Sequence, residues 1–276
     1  NLNLNGEVFL KNLKHRGPDY QKVYRDNDVV IGHTLLSIRD TIDKSIQPVI
    51  TDNGRYIISF NGQIYNLKEI KKKFNLPDDI LLDTTIISIL CNKLGVKFIH
   101  EIDGMFALII YDKVDKKIIS IRDNTGQKPL YYFFDNKNFI LSSEIDPILK
   151  SLKKDIIVDL DFNTHLRFTI SVGEKTIYKN IFKFLPGQKV EFDLTDNKLS
   201  KSFFNHNLVK KEANLQDLLS KTIQDHLQTN QKLIINLSGG IDSNIILHES
   251  LKKKKIEALS TRFETNEEKY NDDFFI

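Results

Sequence analysis

The chain has 276 residues, which at roughly 150 residues per domain suits about two domains and a sizeable buried core. Hydrophobic residues make up 40% and charged residues 28%, which excludes a disordered or fibrous chain, and 40 Lys and Arg against 37 Asp and Glu leave a net charge of only +3, with no electrostatic pull toward nucleic acid or a membrane surface. No apolar run reaches the roughly 18 residues of a membrane helix and no basic-then-apolar leader opens the chain, so a cytoplasmic protein without nucleic-acid or membrane partners is expected.

The first two hundred residues read as short strands punctuated by turns. Val29–Ile38 and Gly54–Asn61 are apolar, β-branched runs bounded by Gly, Asp or Asn. Over Leu67–Phe74 and Thr84–Leu94, apolar residues recur at spacings of three and four, which predicts two helices. A hairpin follows, with MFALIIYD (Met105–Asp112) and KIISIRD (Lys117–Asp123) as arms and Lys113–Lys116 as its turn. A second hairpin pairs LYYFF with FILSSE around Asp135–Asn138, and Ile177–Asn205 is extended, with Pro186-Gly187 as a turn.

Residues 206–213 (HNLVKKEA) are polar and unpatterned, a linker by composition. Beyond them come an amphipathic helix over Leu215–Leu227, a strand (KLIINL), a Gly-rich turn (SGG), a helix from Asp242 to about Lys253 and a strand (IEALSTRF). This βαβ order predicts parallel strands joined by a right-handed crossover. Residues 214–276 are too few for a complete doubly wound sheet, and the apolar ending Phe274-Phe275-Ile276 suggests a chain cut short.

The strongest local signal is LSGGIDS, Leu237–Ser243, between an apolar strand and a helix. Two glycines allow close approach of an anion, and the helix start adds partial positive charge, so the loop suits phosphate. It is neither the GxxxxGK[ST] kinase loop nor the GxGxxG dinucleotide loop. Asp242 suits two roles, helix cap or Mg²⁺ holder, while the hydroxyls of Ser238 and Ser243 can donate to a phosphate. The bland alternative is a Gly-containing strand-to-helix turn.

LSGGIDS resembles the pyrophosphate loop, SGGxDS, of enzymes that cleave ATP between its α and β phosphates. HRGPD (His15–Asp19), Gly32-His33, LSI (Leu36–Ile38), QPV (Gln47–Val49), NGQIYN (Asn61–Asn66) and LDTT (Leu82–Thr85) precede it. So do DGMFAL (Asp103–Leu108), RDNTGQKPLYY (Arg122–Tyr132), SSEI (Ser142–Ile145) and LPGQ (Leu185–Gln188), and the order is that of glutamine-hydrolysing asparagine synthetases. The resemblance spans essentially the whole chain.

It implies an α+β amidotransferase domain over residues 1–205, of the N-terminal-nucleophile type: an αββα sandwich of two antiparallel sheets between helices. An incomplete α/β parallel-sheet nucleotide-binding domain over 214–276 would follow the linker 206–213. The implied reaction takes ammonia from glutamine and delivers it to aspartate activated by ATP and Mg²⁺, giving asparagine, glutamate, AMP and pyrophosphate. A homodimer is compatible with this reading. Residue by residue, Asn61 and Gly62 match the oxyanion-hole pair. Asp83 matches the carboxylate that holds the glutamine α-amino group. Ser238, Gly239, Gly240, Asp242 and Ser243 match the pyrophosphate loop, with Asp242 as the metal candidate.

Three departures stand out. The family's nucleophile is an N-terminal cysteine, whereas this chain starts with Asn1 and residues 5–15 read as the end of a helix, so the first strand and the nucleophile are expected to be missing and the 276 residues alone inactive. Leu35 stands where the family has an arginine that clamps the glutamine α-carboxylate, which leaves Arg39 or Arg16 for that role or implies impaired binding. Gln63 replaces a glutamate, a milder change. Transfer to a different carboxylate, an ammonia-dependent ligase, and a catalytically silent relic are the competing readings.

Other features read as structural. Cys91, the single cysteine, lies in an apolar helical stretch and is expected to be an inert core thiol; it excludes an internal disulfide. Lys252–Lys255 reads as a solvated helix end and Tyr131–Phe134 as sheet core. His15 and His33 read as structural, and the seven histidines show no metal-ligand spacing.

Overall fold

The computed structural model of the chain describes residues 6–39, 41–152, 158, 162–169, 171–204, 214–229 and 231–261. Contacts divide it into two units, residues 1–37 with 41–208 and residues 38–40 with 209–276. The expected linker 206–213 lies outside the described residues.

The first unit opens with α1 (Gly6–Leu13), a 3-10 turn over Lys14–Arg16, and strands β1 (Tyr20–Arg25) and β2 (Val30–Leu35). Then come α2 (Ile42–Ser45), β3 (Val49–Ile50), β4 (Tyr56–Ile64), α3 (Leu67–Phe74), α4 (Asp83–Leu94) and a 3-10 segment over Gly95–His100. Strands β5 (Gly104–Asp112), β6 (Lys117–Arg122), β7 (Tyr131–Phe134) and β8 (Phe139–Ser142) lead into α5 (Ile145–Leu152) and α6 (Phe162–Phe168). Strands β9 (Ile181–Lys183), β10 (Gln188–Asp193) and β11 (Lys198–Phe203) complete the unit.

The dominant sheet is antiparallel throughout, in the order β11-β10-β6-β5-β4-β3. Its strands alternate with period two, so each face carries its own core. Tyr56, Ile58, Phe60 and Ile64 of β4, with Phe106, Leu108 and Ile110 of β5, pack against Leu67 and Ile70 of α3 and Ile86, Leu90 and Cys91 of α4. The opposite face carries two cores. Ala107 and Val190 pack with Leu130, Tyr132 and Phe184 around the small sheet β8-β7-β9, and Ile57 and Tyr111 pack with Val29 and Ile31 at the hairpin β1-β2. Beyond the small sheet, Phe133, Ile140 and Ile181 meet Ile148 and Leu152 of α5, with Phe9 of α1 against them. Helices, sheet, strands and helices therefore form the expected αββα layers. The second strand layer differs in consisting of two pieces, because no ladder joins β1-β2 to β8-β7-β9 among the described residues.

The second unit contains α7 (Leu215–His226), β12 (Ile234–Asn236), α8 (Ile241–Leu251) and β13 (Glu257–Leu259). Strands β12 and β13 pair in parallel, with Ile235 opposite Ala258, so the βαβ unit forms as its order of elements predicts.

Candidate functional site

Asn61 and Gly62 lie near the end of β4, opposite Ala107 and Phe106 of β5. Strand alternation puts Asn61 on the same face as Ile57 and Ser59, toward the second strand layer, and Gly62 on the helix-covered face with Phe60 and Ile64. Gly62 has no room for a side chain: a Cβ there would lie 2.2 Å from the Met105 carbonyl oxygen and 2.6 Å from the Phe106 Cβ. Asp83, the first residue of α4, is buried, and its Oδ1 accepts the amide hydrogen of Ile64 at 2.9 Å. The structure therefore brings Asn61, Gly62 and Asp83 together on one stretch of β4. At the start of α4 the helix dipole also favours the carboxylate's charge.

Two buried side chains that sequence reasoning quoted within motifs, without assigning them a task, fix this stretch. The Gln47 amide mimics a neighbouring strand: its Oε1 accepts from Phe60 N at 2.7 Å and its Nε2 donates to Phe60 O at 3.1 Å. Across the ladder, the fully buried Asp123 accepts from the amides of Phe106 (3.2 Å) and Lys128 (3.0 Å) through Oδ2. Its Oδ1 accepts from Gln127 N and from the amide and hydroxyl of Thr125. Arg122 completes the turn by donating to the carbonyls of Lys128, Phe184 and Gly126. The signal was present in the sequence: a charged pair, Arg122-Asp123, ahead of a Gly-containing turn has to find backbone partners once it is buried.

His33 of β2 reaches β4 from the second strand layer, with Nδ1 3.0 Å from Ser59 Oγ. Burial pushes the imidazole pKa down to about 4, so the ring is neutral and hydrogen-bonded, as a structural histidine should be. Leu35, at the expected clamp position, is buried. Arg16, one of the two proposed substitutes, is half-buried and donates to Glu144 Oε1 at 3.0 Å, an oxygen that it shares with His15 Nε2 at 2.9 Å. The other, Arg39, falls in the second unit. Burial pushes Glu144 up, yet the hydrogen bonds from His15 and Arg16 outweigh it and hold the carboxyl below its usual range. Cys91 is buried in the α4 core, and burial raises its thiol pKa to about 12, which makes it an unreactive core thiol. The aromatic run at Tyr131–Phe134 is sheet core, with Tyr132 fully buried.

The phosphate-loop candidates are gathered in the second unit at the start of α8. Gly239 has φ +78°, a conformation that suits glycine. The hydroxyls of Ser238 and Ser243 are 3.3 Å apart, Gly240 N donates to Ser238 Oγ at 3.3 Å, and Ser243 Oγ donates to Gly240 O at 2.9 Å. The helix cap is Gly240, and the exposed Asp242 is the second helical residue, which corrects its reading as the cap. The loop places two hydroxyls and a glycine backbone at a helix N-terminus, a donor set that fits a pyrophosphate. One carboxylate fits a Mg²⁺ held largely by phosphates, and no cluster of three or more His, Cys, Asp or Glu side chains suited to a metal occurs among the described residues. No helix among them is long and apolar enough to cross a membrane.

Comparison with known proteins agrees with the resemblance read from the sequence. The glutamine amidotransferase domain family matches residues 5–204 and the asparagine synthase family matches residues 214–274. The putative asparagine synthetase [glutamine-hydrolyzing] 2 of Methanocaldococcus jannaschii is 31% identical over 92% of this chain and 56% of its own length. Asparagine synthetase [glutamine-hydrolyzing] 2 of Bacillus subtilis is 28% identical over 93% of this chain and 37% of its own. Asparagine synthetase B of Escherichia coli is 24% identical over 85% and 39%. The chain thus spans about half, or less, of the length of these relatives. Among solved structures, the glutamine phosphoribosylpyrophosphate amidotransferase of B. subtilis shares the fold at TM-score 0.50 and 14% identity, covering 95% of this chain and 65% of that one. The fold is the N-terminal-nucleophile α+β sandwich. The chain therefore belongs to the glutamine amidotransferase domain family, and the segment behind that domain is similar to the asparagine synthase family.

Proposed function

We propose that the full-length protein is a glutamine-dependent, ATP-consuming amide ligase that makes asparagine from aspartate. The observation that carries this reading is the pinned β4 stretch, on which Asn61, Gly62 and the buried Asp83 converge, in the same chain as the SGGIDS loop. On β4, the Asn61 side-chain amide and the Gly62 N–H would stabilise the oxyanion formed when a nucleophile attacks the glutamine side-chain amide. Asp83 would hold the substrate's α-ammonium group. Gln47 and Asp123 would keep both strands rigid while charge develops. In the second unit, Ser238, Ser243 and the Gly239–Gly240 backbone would hold the pyrophosphate portion of ATP, with Asp242 near the cation that accompanies it. Bound ATP with Mg²⁺ would supply the adenylyl group that activates the acceptor carboxylate.

The buried Leu35, where the resemblance expects an arginine, favours a second reading: a ligase fed by free ammonia. Assay of the full-length protein separates the two. Pyrophosphate release with aspartate, ATP and glutamine, together with glutamate formation slowed about 10²–10³-fold in Asn61→Ala, supports the first. Release with ammonium and none with glutamine supports the second. Release with neither overturns both, and preference for an acceptor other than aspartate replaces the named product.

A further inference from the structure

The SGGIDS turn is held by a side chain that lies just outside it in sequence, Asn244 in the first turn of α8. Its Nδ2 donates to the carbonyl oxygens of Gly239 at 3.2 Å and Gly240 at 3.1 Å. Only the NH2 end of a carboxamide can face two carbonyls, so chemistry fixes the orientation of this half-buried group. The backbone N–H of Asn244 also donates to Gly240 O, at 3.2 Å, as the opening bond of the helix.

The same Gly240 oxygen takes the Ser243 hydroxyl at 2.9 Å. A serine hydroxyl has one proton, so with this bond made the 3.3 Å contact between the Ser238 and Ser243 hydroxyls is donated by Ser238. Ser238 Oγ in turn accepts from Gly240 N at 3.3 Å. The ring runs from Gly240 N through both hydroxyls to Gly240 O and uses both hydroxyl protons inside the loop. A phosphate has to draw those protons outward. The costlier one is that of Ser243, since its departure uncovers a carbonyl oxygen whose negative end faces the incoming anion. Asn244 removes that cost: its Nδ2 and its N–H stay on Gly240 O when the Ser243 hydroxyl turns away.

We propose that Asn244 is a positioning residue of the phosphate loop, which takes over the Gly240 carbonyl so that the Ser243 hydroxyl is released to donate to the pyrophosphate portion of the nucleotide. This assignment rests on the reading of SGGIDS as a pyrophosphate loop and adds the residue that makes its second hydroxyl available. The bond to Gly239 O serves the same end by holding the turn in which Gly239 has φ +78°.

The test is calorimetry of inorganic pyrophosphate binding to the full-length protein. Asn244→Ala and the near-isosteric Asn244→Leu should bind it about tenfold more weakly than wild type, the order of one lost hydrogen bond. Asn244→Ser should recover part of the loss, because a helical serine hydroxyl donates to the carbonyl four residues back, here Gly240 O. A double-mutant cycle separates this role from a merely structural one. In a Ser243→Ala background there is no hydroxyl to release, so Asn244→Ala or Asn244→Leu should cost little further affinity. A loss of the same size in both backgrounds overturns the proposal, and so does unchanged affinity in the single variants. Should the alanine variant fail to fold in thermal unfolding, the leucine variant, which keeps the shape and suits a helix, carries the comparison. If wild type binds neither pyrophosphate nor ATP, the phosphate-loop reading falls and the task of Asn244 falls with it. If wild type binds both while the Asn244 variants match it, only the positioning role falls.

Discussion

Asp83 Oδ1 accepts the backbone N–H of Ile64 at 2.9 Å, so the carboxylate assigned to a substrate ammonium is also a structural partner of the strand that bears Asn61 and Gly62. On the proposed reading, one group would thereby set the distance between the two ends of the substrate. The two tasks can be separated, because an amide side chain keeps the acceptor oxygen and loses the charge.

Asp83→Asn should therefore fold with nearly wild-type stability while its KM for glutamine rises about tenfold or more. Asp83→Ala should also lose stability, about 1–3 kcal/mol, because the buried hydrogen bond to Ile64 N is removed. Thermal unfolding and glutaminase kinetics of the two variants, measured side by side in the full-length protein, check this split. Equal stability in both would show that the Ile64 bond contributes nothing.

Gly62→Ala should be among the most damaging small substitutions in the first unit. Its Cβ would sit 2.2 Å from a carbonyl oxygen of the partner strand, a contact that only backbone movement relieves. Overpacking of this kind costs roughly 1–3 kcal/mol or more. The strand shift would also misplace Asn61, so glutaminase activity per folded molecule should fall as well. Chemical denaturation combined with activity of the folded fraction measures both effects.

His33 makes stability depend on pH in a defined window. Its folded pKa, lowered by burial to about 4, lies below the ordinary 6.5, so the unfolded chain takes up the proton first as pH falls. The stability that neutral His33 supports is fully present above about pH 6.5 and is lost progressively toward pH 4. The loss is at most on the order of 3 kcal/mol, and less to the extent that water reaches the ring. His33→Gln, which keeps a hydrogen-bonding group for Ser59, should flatten the unfolding midpoint over this range. A slope identical to that of wild type would assign the acid sensitivity to other groups.

Asp242→Ala should abolish ATP-dependent pyrophosphate release in the full-length protein and leave glutamine hydrolysis largely intact. Asp242 is exposed and accepts no cap hydrogen bond, so the variant should unfold at the wild-type temperature. Parallel pyrophosphate and glutamate assays check the division of labour. Equal loss of both activities would contradict it.

Several parts of the fold were legible in the chain alone because their determinants are local. The hairpin β5-β6 follows from alternating apolar residues around a polar turn, α3 and α4 follow from three- and four-residue spacing, and the βαβ order ahead of β13 forces parallel pairing. Strand β1 was not read, because YQKVYR is largely exposed and carries little apolar alternation. Helix α5 was missed because its eight residues include Pro147 and are too short to establish a period.

The sequence by itself determined the family, the order of elements and the identities of Asn61, Gly62, Asp83 and the SGGIDS loop, since each is written in contiguous residues. Only the tertiary structure decided what holds those residues in place. Gln47 on Phe60, Asp123 on Phe106 and Asp83 on Ile64 are pairings across 13, 17 and 19 residues, and Arg16 meets Glu144 across 128. Hydrogen bonding and desolvation act through space rather than along the chain, so a residue's partners, and its lack of them, come into existence only when the strands are assembled.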